Sequence, residues 1–233
     1  MQQGRSYLDG ATGMVREIDV LAAPRSSSSL VDVRLVVECK RTDRTPWVVL
    51  TSESLHGPED VIAATVSTTS AREFLTSRAR SASSGVPEFL SISARHGFSV
   101  VQAHRKPDDD KPEQPFKAMS QAVSAAVARV GSEGAGWRVA WPVVVIDGPL
   151  FEVTATQSGD EIAATDSARV MWHGAFASQP VILDIVRKPA LHEYAHRAYA
   201  GLRSVQSDLE TALDESSKNR EVLGLPLRTA RRR

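Results

Sequence analysis

The sequence contains one cysteine, Cys39, among 233 residues, so the chain can form no internal disulfide. Such sparse use of cysteine is typical of proteins from a reducing compartment. No apolar run approaches the roughly 20 residues that a membrane-spanning helix needs. The opening residues, Met-Gln-Gln-Gly-Arg-Ser, do not resemble a signal peptide. These absences predict a cytoplasmic protein with no membrane partner.

The chain also lacks an excess of charge of either sign, because Lys plus Arg and Asp plus Glu number 28 each. A protein that coats nucleic acid normally carries a net positive field, so this balance argues against that class. The balance is compatible with a local basic groove that binds phosphates. The sequence has no internal repeat, no glycine-rich phosphate loop and no cysteine cluster for zinc, so the motifs that depend on those features are excluded.

Apolar residues make up 42% of the chain, enough for a substantial core. The run Val143–Ile146 is typical of a strand buried on both faces. Residues 115–130 begin with proline and are rich in alanine, a pattern that predicts a helix ending at Gly131, and further helices are predicted at 58–80 and 189–216. The apolar stripe expected on the helix at 115–130 comprises Phe116, Met119, Val123, Val127 and Val130. We therefore expect an α/β fold with a mixed central sheet flanked by helices.

The predicted domain covers residues 1–225, and residues 226–233 form a basic tail that we expect to be disordered. The proline-rich segment 106–115 is predicted to be a mobile loop, because it has no apolar anchor. Both segments are expected sites of early proteolysis.

Two segments near the start of the chain, 16–22 and 35–40, are rich in β-branched residues and are separated by Pro-Arg-Ser-Ser-Ser-Ser. This pattern predicts a strand, a turn and a second strand. Alternate residues of a strand share a face, so Glu38 and Lys40 should lie together, and Cys39 should point into the apolar core. Asp19 is directly opposite Glu38 only if the hairpin is centred between Ser28 and Ser29, in which case the loop runs from about Pro24 to Val33.

Two carboxylates and an ammonium group on one face are the side chains needed to hold a hard divalent cation and to act on a reacting water or phosphate. Asp19 followed by Glu38-x-Lys40 resembles the motif of the PD-(D/E)XK, or restriction-endonuclease-like, nuclease superfamily. The longer pattern Tyr7-Leu8-Asp9, Thr12-Gly13 and Arg16-Glu17-Ile18-Asp19-Val20 is similar to uncharacterised bacterial members. The resemblance covers roughly residues 5–50, with a weaker similarity in the later strands and helices.

The resemblance implies a restriction-endonuclease-like core and metal-dependent hydrolysis of phosphodiester bonds, most simply in DNA. It implies that Asp19, Glu38 and the backbone carbonyl of Cys39 bind Mg²⁺ or Mn²⁺, and that Lys40 acts on the attacking water. DNA is thus the implied partner, with a homodimer or a defence-system protein as a further expected partner.

Glu17 and Gln121 are candidate accessory residues of the same site. Glu17 can instead form an ion pair with a nearby arginine. Gln121 stands on the helix at 115–130, where it can instead be solvated or structural. The tyrosine that usually follows such a glutamine four residues later is Ala125 here.

Three other interpretations remain open from the sequence. The hairpin can be an ordinary amphipathic one with a solvated charged face, or the fold can be a catalytically inactive module that binds nucleic acid or protein. His192-Glu193-x-x-His196 also matches the zinc metalloprotease motif. The candidate third ligands are Glu210, Glu215 and Glu221. Glu210 lies fourteen residues beyond His196, about 21 Å along a helix, which is too far to coordinate. We predict that this motif is structural, because Leu191, Tyr194, Ala198 and Leu202 supply the buried stripe of the helix.

Overall fold

The computed structural model describes residues 1–10, 12–42, 45–53, 57–81, 90, 95–103, 114–131, 136–156, 159–173 and 179–222. The predicted tail at 226–233 and most of the predicted mobile loop at 106–115 lie outside these residues, so both stay predictions. Among the described helices, none is long and apolar enough to cross a membrane.

Eleven strands and four helices make up the described chain. The strands are β1 (Gln2–Leu8), β2 (Val15–Ala22), β3 (Val31–Lys40), β4 (Trp47–Glu53), β5 (Val66–Ser67), β6 (Arg95–Gln102), β7 (Trp137–Ile146), β8 (Leu150–Thr156), β9 (Gly159–Ala164), β10 (Ser167–Trp172) and β11 (Val181–Arg187). The helices are α1 (Pro58–Ala64), α2 (Thr69–Arg80), α3 (Gln114–Gly131) and α4 (Leu191–Val222), the last preceded by a 3₁₀ turn at Lys188–Ala190.

All eleven strands belong to one mixed sheet with the order β1-β2-β3-β7-β11-β10-β6-β4-β8-β9, and the short strand β5 pairs with β7. Strands β3, β7 and β11 run parallel, whereas β1, β2 and β3 form an antiparallel meander. The predicted central strand is confirmed, because Val143, Val144 and Ile146 of β7 have no exposed surface. The predicted α/β class with a mixed sheet flanked by helices is therefore correct.

Two neighbouring strands near one end of the sheet are followed in the chain by two neighbouring strands near its other end. The neighbours β3 and β7 lead, through short breaks at 41–46 and 147–149, into β4 and β8, which are again parallel neighbours. Strand β4 also pairs with β6, and the path through β10 and β11 returns to β7. The pairings thus run from β7 through β11, β10 and β6 to β4 and β8, while β1 and β2 extend the sheet beyond β3.

The two faces of the sheet are covered by different helices. On one face, α3 packs against β1, β3, β6 and β7, and on the other face α4 packs against β3 and β11. The apolar stripe predicted for α3 is partly wrong, because Phe116 and Val127 are exposed whereas the alanines 118, 122, 125 and 126 are buried. Met119 and Val123 are buried as predicted, and the small side chains beside them let the helix lie close to the sheet.

The single helix predicted at 58–80 is two helices. Residues 66–67 leave the helical path, form β5 and pair with Ala140 and Val139 of β7. The local run Thr65-Val-Ser-Thr68 is rich in β-branched and hydroxyl residues, which favour extended backbone and helix caps over a helix interior. A sheet edge close by then supplies the hydrogen bonds that the helix would have made.

Candidate functional site

The register of the first hairpin, which the sequence left open, meets the condition for an Asp19–Glu38 pair. Val20 pairs with Val37, and Leu21 and Ala22 pair with the two residues before it. The ladder ends there, and extending its register by one step sets Asp19 opposite Glu38. The hairpin is therefore centred between Ser28 and Ser29. Residues 31–34 do not pair with β2, as the expected loop requires, but they still form a strand because they pair with β7.

Strand β2 is irregular at Asp19. Ile18 and Leu21 are buried in the same apolar cluster although they are three residues apart, so the alternation of faces is broken between them. Gly4, which lies across from Asp19 in the β1–β2 ladder, has a positive φ of 64° that favours glycine. Irregularities of this kind re-aim side chains next to functional sites. Here the backbone amide of Cys39 donates to Oδ2 of Asp19 at 2.7 Å, so the carboxylate takes the place of a ladder carbonyl.

Glu38 is a buried carboxylate with one ionic partner among the described residues. Its side chain lies on the α3 face of β3 and pairs through Oε1 with the ammonium of Lys40. Burial raises the pKa of Glu38, the hydrogen bond and charge of Lys40 oppose that shift, and the nearby charge of Asp19 adds to it. The predicted trio of Asp19, Glu38 and Lys40 is thus brought together at the carboxyl end of β3.

A second cluster, which the sequence analysis did not assign, supports this trio from β1 and β2. The buried Asp9 accepts hydrogen bonds from Arg16 Nε at 2.7 Å and from the hydroxyl of Thr12 at 2.9 Å, and so locks the turn between the two strands. Tyr7 pairs with Arg16 across the ladder, and burial, with the charge of Asp9, raises the pKa of Tyr7 to about 12. The signal was present in the Tyr-Leu-Asp and Thr-Gly pattern, since Asp and Thr at this spacing favour side-chain hydrogen bonds in turns.

The two candidate accessory residues, Gln121 and Glu17, differ in their exposure and in their contacts. The backbone carbonyl of Gln121 accepts a hydrogen bond from the Tyr7 hydroxyl at 3.3 Å, which brings α3 to the edge of the site. The side-chain Oε1 of Gln121 is buried and accepts no hydrogen bond, so this residue is not solvated. Glu17 is exposed, and its carboxylate lies beside Gly4. No ion pair joins Glu17 to an arginine among the described residues.

The prediction for the Cys39 side chain is wrong, because the thiol is exposed instead of buried in the core. Helix α4 packs on the sheet face that carries Cys39 nearer the beginning of β3, where Val31, Val33 and Leu35 are buried. The end of the strand is exposed on that face. Because one strand residue directs its amide and its carbonyl to the same side, the Cys39 carbonyl is directed toward β2, as its amide is. The prediction of this carbonyl as a ligand is thus compatible with the backbone.

The donor set fits a hard divalent cation. Asp19 Oδ1 and Glu38 Oε2 accept no hydrogen bond from a described residue, since the known contacts use the other oxygen of each carboxylate. Two such oxygens and a backbone carbonyl are ligands that Mg²⁺ and Mn²⁺ prefer. The described residues contain no group of three or more acidic, histidine or cysteine side chains that could hold a metal.

The histidine motif on α4 lies off the core, as predicted. His192, Glu193 and His196 are exposed, whereas Tyr194 and Ala198 are buried. The two imidazole rings are 4.6 Å apart between centroids. Glu210, the considered third ligand, is engaged elsewhere, because its carboxylate accepts hydrogen bonds from Ser26 and Ser27.

A buried charged cluster on the α4 face was also missed. Asp184 in β11 accepts four hydrogen bonds: from Arg169 Nε at 2.8 Å and Nη2 at 3.1 Å, from Trp141 Nε1 at 2.9 Å and from the Tyr194 hydroxyl at 2.9 Å. Arg169 also lies 4.8 Å from the centroid of the Trp141 ring. The signal was an aspartate inside the apolar run Val181-Ile-Leu-Asp-Ile-Val186, because a charge buried in a strand must be paired.

No protein-family model, no characterised protein and no solved structure matches this chain. The inference of function therefore depends on the geometry and chemistry of the site alone.

Proposed function

We propose that this protein is a metal-dependent nuclease that hydrolyses phosphodiester bonds, most simply in DNA, and that β1, β2, β3, α3 and β7 form a restriction-endonuclease-like core. The observation that carries the proposal is the placement of Asp19 directly opposite Glu38, with Lys40 paired to Glu38 on the same face. A cytoplasmic location is part of the same proposal.

Asp19 and Glu38 would hold Mg²⁺ or Mn²⁺, with the carbonyl of Cys39 as a further ligand. When bound, the cation supplies positive charge at the phosphate and makes a water molecule more acidic. The residues themselves prepare this arrangement. The Cys39 amide orients the Asp19 carboxylate through a 2.7 Å hydrogen bond, and burial of Glu38 makes its unneutralised charge costly, which favours uptake of a cation.

Lys40 has the catalytic role in this proposal. Its ammonium contacts Glu38 and therefore lies beside the reacting centre. It can orient or deprotonate the attacking water, or it can stabilise negative charge on the phosphoryl oxygens. Arg16, held by Asp9, adds positive charge close to Glu38.

The second candidate function is a catalytically inactive module that binds nucleic acid or protein. The observation in its favour is the ion pair itself, because Lys40 already neutralises Glu38 without a cation. In that case the charged face would be a binding surface, and metal would leave both stability and binding unchanged.

Cleavage of single- and double-stranded DNA with Mg²⁺ or Mn²⁺ distinguishes the two functions. We expect the natural protein to cut in a metal-dependent way, and Lys40→Ala to lose about 10²–10⁴-fold in rate, the usual contribution of a group that moves a proton. Lys40→Ala should still bind metal, since both carboxylates remain. Lys188→Ala is the matched control, because Lys188 is an exposed lysine that is not the ion-pair partner of Glu38. A natural protein that binds DNA but neither cuts it nor melts at a higher temperature with metal supports the inactive module.

A further inference from the structure

The loop between β2 and β3 is attached to the middle of α4. The carbonyl of Arg25 accepts hydrogen bonds from Arg203 Nη1 at 2.7 Å and from Gln206 Nε2 at 2.8 Å. The carboxylate of Glu210 accepts from the hydroxyls of Ser26 at 2.7 Å and Ser27 at 2.8 Å, and from the Ser27 amide at 3.1 Å. The three helix residues are spaced by three and four positions, so they share one face of α4.

A buried residue of α4 supports this attachment. Gln206 is 1% exposed and also donates to Glu210 at 2.8 Å, which fixes the carboxylate from the helix side. Burial raises the pKa of Glu210, but the hydrogen bonds from Ser26, Gln206 and Ser27 outweigh it and lower the pKa to about 2. The neighbouring stripe of α4, with Leu202, Val205 and Leu209, is buried against the sheet. The loop is therefore held by a helix that cannot shift freely.

The ladder that the loop connects is short. Strand β3 makes ten paired positions with β7 but only three with β2. A serine-rich loop does not by itself define a hairpin register. A slip by two residues would keep every side chain on its face and would place Asp19 opposite Lys40 in place of Glu38. That register gains an Asp–Lys ion pair, so it is a real competitor, and it separates the two carboxylates.

We infer that α4 is the register lock of the candidate site, and that Glu210 is a positioning residue which, through Ser26 and Ser27, keeps Asp19 opposite Glu38. Without the lock, the slipped register becomes populated and the paired carboxylates are lost, although Glu210 touches neither of them. The importance of this register for catalysis rests on the proposed function, but the register itself does not.

The test reports the register directly through disulfide formation. In the observed register Val20 is opposite Val37, and in the slipped register it is opposite Cys39. One variant, Val20→Cys with Val37→Cys and Cys39→Ser, reports the observed register, and Val20→Cys with the natural Cys39 reports the slipped one. The ratio of the two oxidation rates measures the populations, since a disulfide needs closely opposed Cβ atoms.

We expect Glu210→Ala to lower the ratio of observed to slipped cross-linking by about tenfold or more, because hydrogen bonds to a charged acceptor are lost. Glu210→Gln should restore part of the ratio. Glu215→Ala is the matched control, because Glu215 is an exposed acid on the same helix, and it should leave the ratio unchanged. If Glu210→Ala does not fold, the double variant Ser26→Ala and Ser27→Ala replaces it. An unchanged ratio in a folded variant overturns the inference.

A second arm separates this inference from the proposed function. Binding of Mn²⁺ to the same variants, without the cysteine changes, should weaken in parallel with the cross-linking ratio. If the ratio falls but the natural protein binds no Mn²⁺, the register lock stands and the nuclease proposal fails. If the natural protein binds Mn²⁺ and Glu210→Ala does not change either readout, the nuclease proposal stands and the lock fails.

Discussion

Asp184 and Glu38 are both buried carboxylates of the same sheet, with 3% and 8% of their surfaces exposed, but their surroundings differ. Asp184 accepts four hydrogen bonds from three residues, and both of its oxygens are occupied. Among the described residues Glu38 pairs only with Lys40, and burial raises the pKa of Glu38. A fully paired carboxylate stabilises a structure, whereas an incompletely paired one beside a second acid is prepared for a ligand.

The largest expected effect is the loss of stability when the fully paired carboxylate of Asp184 is removed. Asp184→Ala removes the carboxylate that pairs with Arg169 and that accepts hydrogen bonds from the buried Trp141 and Tyr194, and it should destabilise the fold by about 3–5 kcal/mol. Urea unfolding followed by circular dichroism measures this loss. Asp166→Ala is the control, because Asp166 is exposed and pairs with Arg187 at the surface. A small loss for Asp184→Ala would remove the distinction between the two carboxylates.

Glu210 is a third hydrogen-bonded carboxylate, and its contribution to stability should be lost at low pH. Its pKa in the folded chain is about 2, below the ordinary 4.5, so its stabilisation is fully present above 4.5 and is lost as the pH falls toward 2. The melting temperature of the natural protein should therefore exceed that of Glu210→Gln at neutral pH, with the difference shrinking across this range. The same scan on Glu215→Gln should show no such change. A difference that is constant with pH contradicts the assignment.

Glu38→Gln should be neutral or mildly stabilising without metal. The charged carboxylate is penalised by burial, and the loss of the Lys40 pair offsets part of the gain. Burial raises the pKa of Glu38 in the folded chain above 4.5, so the free-energy cost of burying its charge exists at pH values above that raised pKa. The cost disappears as the pH falls through the raised pKa, because the carboxylate becomes protonated. In thermal melting between neutral pH and pH 4, any increase in the melting temperature of Glu38→Gln over the natural protein should therefore appear only at the neutral end of this range. Clear destabilisation at neutral pH would mean that Glu38 is a structural acid like Asp184.

The smallest effect concerns the exposed histidines. The double variant His192→Ala and His196→Ala should change neither stability nor any DNA cleavage, because both rings lie off the core. Metal analysis of the purified protein should find no stoichiometric zinc. Zinc that is present in the natural protein and disappears in this variant would contradict the structural interpretation.

The sequence predicted the features that depend on neighbouring residues. The central strand at Val143–Ile146 and the helix ending at Gly131 follow from local patterns, and they are correct. The hairpin register was left open by the sequence, because a serine-rich loop does not define it. The exposure of Cys39 was missed because it depends on where α4 stops covering the sheet, which strand periodicity does not report.

The unpredicted parts involve residues far apart in the chain. Asp184 is paired by Trp141, 43 residues earlier, and Glu210 holds Ser26, 184 residues earlier. Strand β5 exists because the edge of β7 is available to residues that favour extended structure. No local period reveals such partners, although a buried aspartate in an apolar strand shows that partners must exist.

The central claim is that Asp19 and Glu38 bind one divalent cation together. Titration of Mn²⁺ into the natural protein, Glu38→Gln and Asp19→Asn, followed by electron paramagnetic resonance, tests it most directly and needs no substrate. We predict one bound Mn²⁺ per chain in the natural protein, competed by Mg²⁺, and loss of this binding in both variants. Equal binding by all three proteins, or no binding by the natural protein, would contradict the account.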